Sequence, residues 1–153
     1  MISANQISNA LGAMNLPFQQ EGNSFVHVSR GRFAPQINVI CNLEEDGSGV
    51  TIMAAFPDPI TEKRSEICEL LNMCHGQSLW NVRFHLDEGG QLFTVGKVLA
   101  WGKPFDEVQF GDVFFSLVVT LDRFYPALNK LLLDNDKPEV AFEAFFTSPS
   151  GRS

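Results

Sequence analysis

Apolar and polar residues alternate in two runs between Trp80 and Trp101: Trp80, Val82, Phe84 and Leu86 precede Asp87-Glu88-Gly89-Gly90, and Phe93, Val95, Leu99 and Trp101 follow it. Period-two alternation marks a half-buried strand, and a glycine-bearing break between two such runs marks a hairpin. A two- or four-residue loop, Glu88-Gly89 or Asp87–Gly90, gives a single register that pairs Val82 with Val95 and Phe84 with Phe93. That register buries Phe93, Val95, Leu99 and Trp101 and turns Asn81, Arg83 and His85 outward. So apolar a hairpin is not stable alone. It needs a helix over it, and a helical pattern begins just after Pro104.

The same reading places the other elements. Ser3-Ala4-Asn5-Gln6 has the form of a capping box, and Ile7, Ala10, Leu11 and Met14 follow at helical spacing, so a short helix runs to about Asn15. Pro17 ends it. Phe18–Gln20 and Phe25–Arg30 read as short strands around Glu21-Gly22-Asn23, with Arg30-Gly31-Arg32 as the next turn. Ile37, Val39, Cys41 and Leu43 alternate, as do Val50, Ile52, Ala54 and Phe56, and pairing Leu43 with Val50 turns all eight to one face. After Phe56-Pro57-Asp58-Pro59 comes a helix capped by Thr61, striped by Ile67, Leu70, Leu71 and Cys74, and closed at His75-Gly76. Phe110, Phe114, Leu117, Leu121, Phe124, Leu128 and Leu131 form the stripe of a long helix capped by Asp106. Pro126 predicts a kink or restart near Asp122–Tyr125, Asp134-Asn135-Asp136 a break, and Pro138 a short final helix carrying Val140, Ala141, Phe145 and Phe146. The fold class is α+β, an antiparallel sheet built of hairpins with helices packed on it, in the order α-ββ-ββ-α-ββ-α. Residues 1–146 are expected as one domain, with 147–153 a flexible tail.

Composition adds limits. The 153 residues, 44% apolar with 14 Phe, suffice for one well-filled core. A net charge of −7 repels phosphates and anionic lipid, which argues against nucleic-acid and membrane partners. Without an apolar run of membrane-spanning length or a signal peptide, a cytoplasmic location is expected. Cys41, Cys68 and Cys74 suit neither a disulfide framework nor a metal knuckle and read as reduced, buried side chains.

The candidate chemistry is sparse. Cys74-His75 reads as a buried thiol beside a capping histidine, and His85 and His27 as exposed strand histidines without partners. The Glu44–Gly49 loop lacks calcium-loop spacing and reads as a solvated hairpin tip, and Asp87–Gly90 lies between strands, where no helix N-terminus meets a phosphate. No catalytic, metal-binding or cofactor-binding set is expected.

The element order, the Asn81-Val82-Arg83-Phe84 run opening the hairpin, Arg123-Phe124-Tyr125-Pro126-Ala127-Leu128 on the long helix and Pro138-Glu139-Val140-Ala141 after it resemble the YbjN family over about Ser3 to Phe146. These are bacterial proteins regarded as sensory transduction regulators, with a fold similar to that of type III secretion chaperones. The resemblance implies a non-enzymatic protein-binding module, suited to a regulator in bacterial signalling or stress response, and supplies no catalytic residues.

Turning the long helix over reveals a possible interface. With Phe110 at 0° the core stripe stays within about 60°, whereas Val108, Phe115, Val119, Pro126 and Leu133 fall at about 140–180°, flanked by Asp112, Ser116, Thr120, Arg123 and Lys130. This seam (Val108, Phe115, Val119 and Leu133) is expected to meet its own copy in a homodimer or a partner helix. The competing expectation is that Val140–Phe146 folds back and buries Phe145 or Phe146 against Phe115 and Val119. A small-ligand sensor is the alternative function, requiring an apolar pocket among Phe84, Phe93, Leu117 and Leu121.

Overall fold

The computed structural model of the chain describes residues 1–75 and 82–146; the expected cap at Gly76, Trp80 and Asn81 of the hairpin, and the 147–153 tail lie outside them. Among the described residues ten elements follow in order: α1 (Ala4–Ala13), β1 (Gln19–Glu21), β2 (Ser24–Ser29), β3 (Ile37–Leu43), β4 (Gly49–Ala55), α2 (Arg64–His75), β5 (Phe84–Leu86), β6 (Leu92–Leu99), α3 (Glu107–Leu132) and α4 (Pro138–Phe146). The six strands form one antiparallel sheet in the order β1-β2-β3-β4-β6-β5.

Local chemistry sets these elements as the sequence predicts. Ser3 Oγ accepts the Gln6 N–H while Gln6 Oε1 accepts the Ser3 N–H (2.9 Å), closing the capping box of α1. Asp106 Oδ1 accepts the N–H groups of Val108 and Gln109 at the start of α3. Leu43 pairs with Val50, so Ile37, Val39, Cys41, Val50, Ile52 and Ala54 lie buried on one face. α3 packs its predicted stripe against β6, β4 and β3 over that face. At about 25 cal/mol per Å² of apolar area, such a layer is the principal stabilising term.

The β5–β6 register differs from expectation by one residue. Phe84 pairs with Thr94, not Phe93, because the loop has three residues: Leu86 pairs with Leu92 and the Asp87 N–H donates to Gln91 O (3.1 Å). An odd loop shifts the partner strand by one and exchanges its faces. Val82 and Phe84 are buried as expected, but their partners inside are Leu92, Thr94 and Val98. Phe93 and Val95 face outward, and Leu99 and Trp101 are exposed. The loop is selected by Gly90, whose φ of +87° favours glycine and whose Cα lies so close to the Ile60 backbone that a Cβ would overlap it.

Three smaller expectations also change. Thr61 does not cap α2; the Ile60 N–H is engaged by Gly90 O (2.8 Å), and the helix starts at Arg64, after Lys63 at φ +55°. Lys63 instead clasps the end of α3, donating from Nζ to Leu131 O (2.5 Å) and to Asn135 Oδ1. Of the kink or restart expected at Pro126, the restart does not occur: α3 runs through it as one helix, with Phe124, Ala127 and Leu128 held in the core on both sides. Cys68 is exposed on α2, to one side of the buried stripe of Ile67, Leu70, Leu71 and Cys74.

The Arg30-Gly31-Arg32 turn is anchored by Asp122 of α3, a buried carboxylate. Its Oδ2 accepts the N–H of Arg32 (2.9 Å) and its Oδ1 those of Phe33 (3.0 Å) and Ala34 (2.8 Å). Gly31 lies against it, where a Cβ would overlap the carboxylate.

Candidate protein interface

A helix on a sheet buries one stripe and leaves the opposite side to solvent or to another protein. On α3 the opposite side keeps Val108 72%, Phe115 45% and Leu133, just beyond the helix, 73% exposed, with Val119 and Pro126 half-buried. Asp112 is exposed and Ser116, Arg123 and Lys130 half-buried along it; Thr120, expected in that polar flank, is buried. Four of the five apolar positions are symmetric about a point between Thr120 and Leu121: Val108 is as far before it as Leu133 is after, and Phe115 as far as Pro126, while the mirror position of Val119 is the buried Asp122.

α4 does fold back onto α3, but not over the seam. Ala141 and Phe145 form its buried stripe, and the Phe145 ring joins Phe84 (6.1 Å) and Phe124 (6.2 Å) beside the sheet. Arg123 holds it there, its guanidinium 4.7 Å from the Phe145 ring centroid and Nη2 donating to Phe145 O (3.1 Å). Phe145 is drawn to the core cluster because it buries more apolar surface there than on a narrow exposed seam.

The titratable groups are occupied structurally. His27 is buried, contrary to expectation, because β2 turns Phe25 and His27 inward; its Nδ1 lies 2.6 Å from Pro17 O. His75 Nε2 accepts the Phe84 N–H (2.9 Å), and burial, then the nearby Arg83 and His85, lowers its pKa. His85 is exposed as expected but has a partner, stacking on Phe93 at 5.2 Å. Burial pushes the Cys41 and Cys74 thiols up to about 12. The Ser48 side chain, and then the Ser48 N–H, hydrogen-bond to Asp46 within the acidic loop and lower its pKa, and Gly47 O accepts the Ile2 N–H, so the tip is partly docked. Among the described residues no three His, Cys, Asp or Glu side chains gather as metal ligands, and no helix is long and apolar enough to cross a membrane.

The one-residue register shift exposes a surface that the sequence reading missed. On the sheet face away from the helices, Val26, Ile40, Met53 and Val95 form one row and Val28, Asn38, Ala55, Phe93 and His85 the next. Ile40, Met53, Phe93 and Val95 are not part of the core cluster. The same shift removes the expected ligand pocket, since Phe93 lies across the sheet from Phe84, Leu117 and Leu121, and those three are buried.

No protein-family model matches the chain, and no curated protein matches it in sequence. Solved structures do. A chain of the ExsC–ExsE complex is similar over 82% of this chain and 95% of its own, with TM-score 0.57 and 14% identity. YbjN from E. coli, a proposed transcription regulator, is similar over 76% of this chain and 89% of its own, with TM-score 0.49 and 12% identity. At 14% identity and TM-score 0.57 the likeness to the first of these is one of fold, and the fold is the α+β, type III secretion chaperone-like one that the resemblance implied.

Proposed function

We propose that residues 1–146 form one non-enzymatic protein-binding module of chaperone-like fold, acting in the bacterial cytoplasm as a homodimer joined along the α3 seam. The observation that carries this reading is the exposed Phe115 on an apolar seam in which Val108 and Leu133, and Phe115 and Pro126, are placed symmetrically along the helix. A two-fold contact requires that residue i meet j while j meets i. Two antiparallel copies of α3 meet that requirement: Val108 of each lies over Leu133 of the other, and Phe115 over Pro126. Asp112 of each then lies near Lys130 of the other, an attraction that offsets part of the repulsion between two chains of charge −7. The commitment of each histidine and of the buried thiols to structural contacts favours binding over catalysis. A protein partner suits an acidic surface better than nucleic acid does.

Light scattering at high micromolar concentration tests the dimer. The parent should have twice the chain mass, and Phe115→Asp or Val119→Asp should give a monomer with unchanged circular dichroism. A monomeric parent refutes the homodimer.

A further inference from the structure

The end of β6 and the start of α3 meet at a groove of about 630 Å³, within the usual range of binding sites. Its floor includes Ile2 and Val98, its rim Leu99, Trp101 and Phe105. Trp101 is 79% exposed. It also has φ +40°, followed by Gly102 at +70°, in a turn closed by the Lys103 N–H donating to Ala100 O (2.8 Å). Two consecutive positive φ values are the province of Asn-Gly, and a bulky residue in the first position is strained. The fold gains nothing visible from it, because the ring packs on no described aromatic and is not part of the core. Strain and an exposed Trp at the rim of a groove are what a binding site retains and a purely structural turn does not.

Charge narrows the occupant. Lys97 and Lys103 both line the groove. Lys103 is exposed and forms no ion pair among the described residues, while Lys97 meets Glu44 at 3.1 Å across an open surface. The one acid of the lining, Asp106, turns its Oδ1 onto the N–H groups that open α3, so the lining holds two ammonium groups against one carboxylate in a chain of net charge −7. In a chain with 18 acidic and 11 basic residues, an acidic partner meets repulsion over most of the surface and relief here.

We infer that this groove docks an acidic segment of a partner protein, with an apolar side chain packed on Trp101 and carboxylates at Lys97 and Lys103. The inference rests on the protein-binding reading but not on the α3 seam.

The probe is a fluorescein-labelled heptapeptide of alternating aspartate and leucine with a central phenylalanine, followed by anisotropy, beside a control with lysine for each aspartate. Saturable binding of the acidic peptide is expected, weakened at least tenfold by Trp101→Ala or Lys103→Glu and by added salt, with no binding of the control. Trp101→Asn separates function from folding: it should raise the urea midpoint while weakening the peptide by the same factor. Phe115→Asp should bind the peptide as the parent does, so loss of the dimer and loss of the groove are read apart. The inference is overturned by no saturable binding of the acidic peptide below about 1 mM, by equal binding of the two peptides, or by an affinity that Trp101→Ala leaves unchanged. It is equally overturned if Trp101→Ala turns a dimer into a monomer, which would fill the groove with a second copy, or if anionic vesicles bind the groove and the peptide does not.

Discussion

Removing the Asp122 carboxylate should be among the most damaging single changes on the helical layer. Asp122→Ala leaves three backbone donors without their acceptor. Those of Arg32 and Phe33 are partly exposed and can return to water, so each loses a charge-assisted bond whose net worth is about 1–2 kcal/mol. The Ala34 N–H is buried and stays orphaned, at a cost of about 1–3 kcal/mol. The sum is a loss of about 3–7 kcal/mol. Asp122→Asn keeps the shape and one acceptor oxygen, turns the amide toward Arg32, and should cost about 1–2 kcal/mol. Gly31→Ala alone should also destabilise, by about 1–3 kcal/mol, because its methyl overlaps the carboxylate. Combined with Asp122→Ala, however, the methyl occupies vacated space. The pair should therefore cost less than the sum of the singles by about 1 kcal/mol or more. Urea unfolding followed by far-ultraviolet circular dichroism measures all four chains. An Asp122→Ala loss below about 1 kcal/mol, or strict additivity of the pair, refutes the anchoring role.

Two further outcomes follow from the titratable groups. Because burial lowers the His75 pKa from 6.5, the unfolded chain binds that proton more tightly. The His75 contribution is thus full above pH about 6.5 and is lost as pH falls through the lowered folded value; His75→Gln should flatten this acid limb in urea midpoints taken at several pH values, and parallel limbs in the two chains would rule out the His75 contribution. In the native protein a thiol reagent should label Cys68 promptly and Cys41 and Cys74 only on unfolding, since burial holds the latter two thiols near 12; prompt labelling of all three would show that the core is open there.

How much of this was legible in the sequence depended on the range of each interaction. The capping box at Ser3, the cap at Asp106, the stripe from Phe110 to Leu131 and the Leu43–Val50 register rest on neighbours in sequence or on simple periodicity, and all stand in the structure. The β5–β6 register failed on the parity of a loop. Asp87-Glu88-Gly89-Gly90 allows even or odd lengths, and the choice was made by Ile60, a residue far away in sequence. His27 gave no local sign of its inward side, because Val26 and Val28 are the more apolar pair yet lie outside. Asp122 offered only its place near Pro126; the loop it grips lies about 90 residues earlier. The second apolar side of α3 was legible in the helix periodicity, and Val108, Phe115 and Leu133 are exposed on it while Val119 is half-buried, whereas the course of α4 depended on an aromatic cluster drawn from β5, α3 and α4. The groove at Trp101 escaped because the assumed register placed that side chain inside.

The sheet order has a consequence for how the chain is made. β1 to β4 form a local meander, but β4 receives its second neighbour from β6, across α2 and the whole β5 hairpin. On the ribosome, β4 emerges as GVTIMAA, an uncharged, β-rich segment with one edge unpaired. The residues from Ala55 to Leu99 that must follow before that edge can close number about 44, which at ~5–20 residues per second is a delay of roughly 2–9 s. For those seconds the nascent chain displays an open strand that favours self-association, which a holdase binding there would suppress.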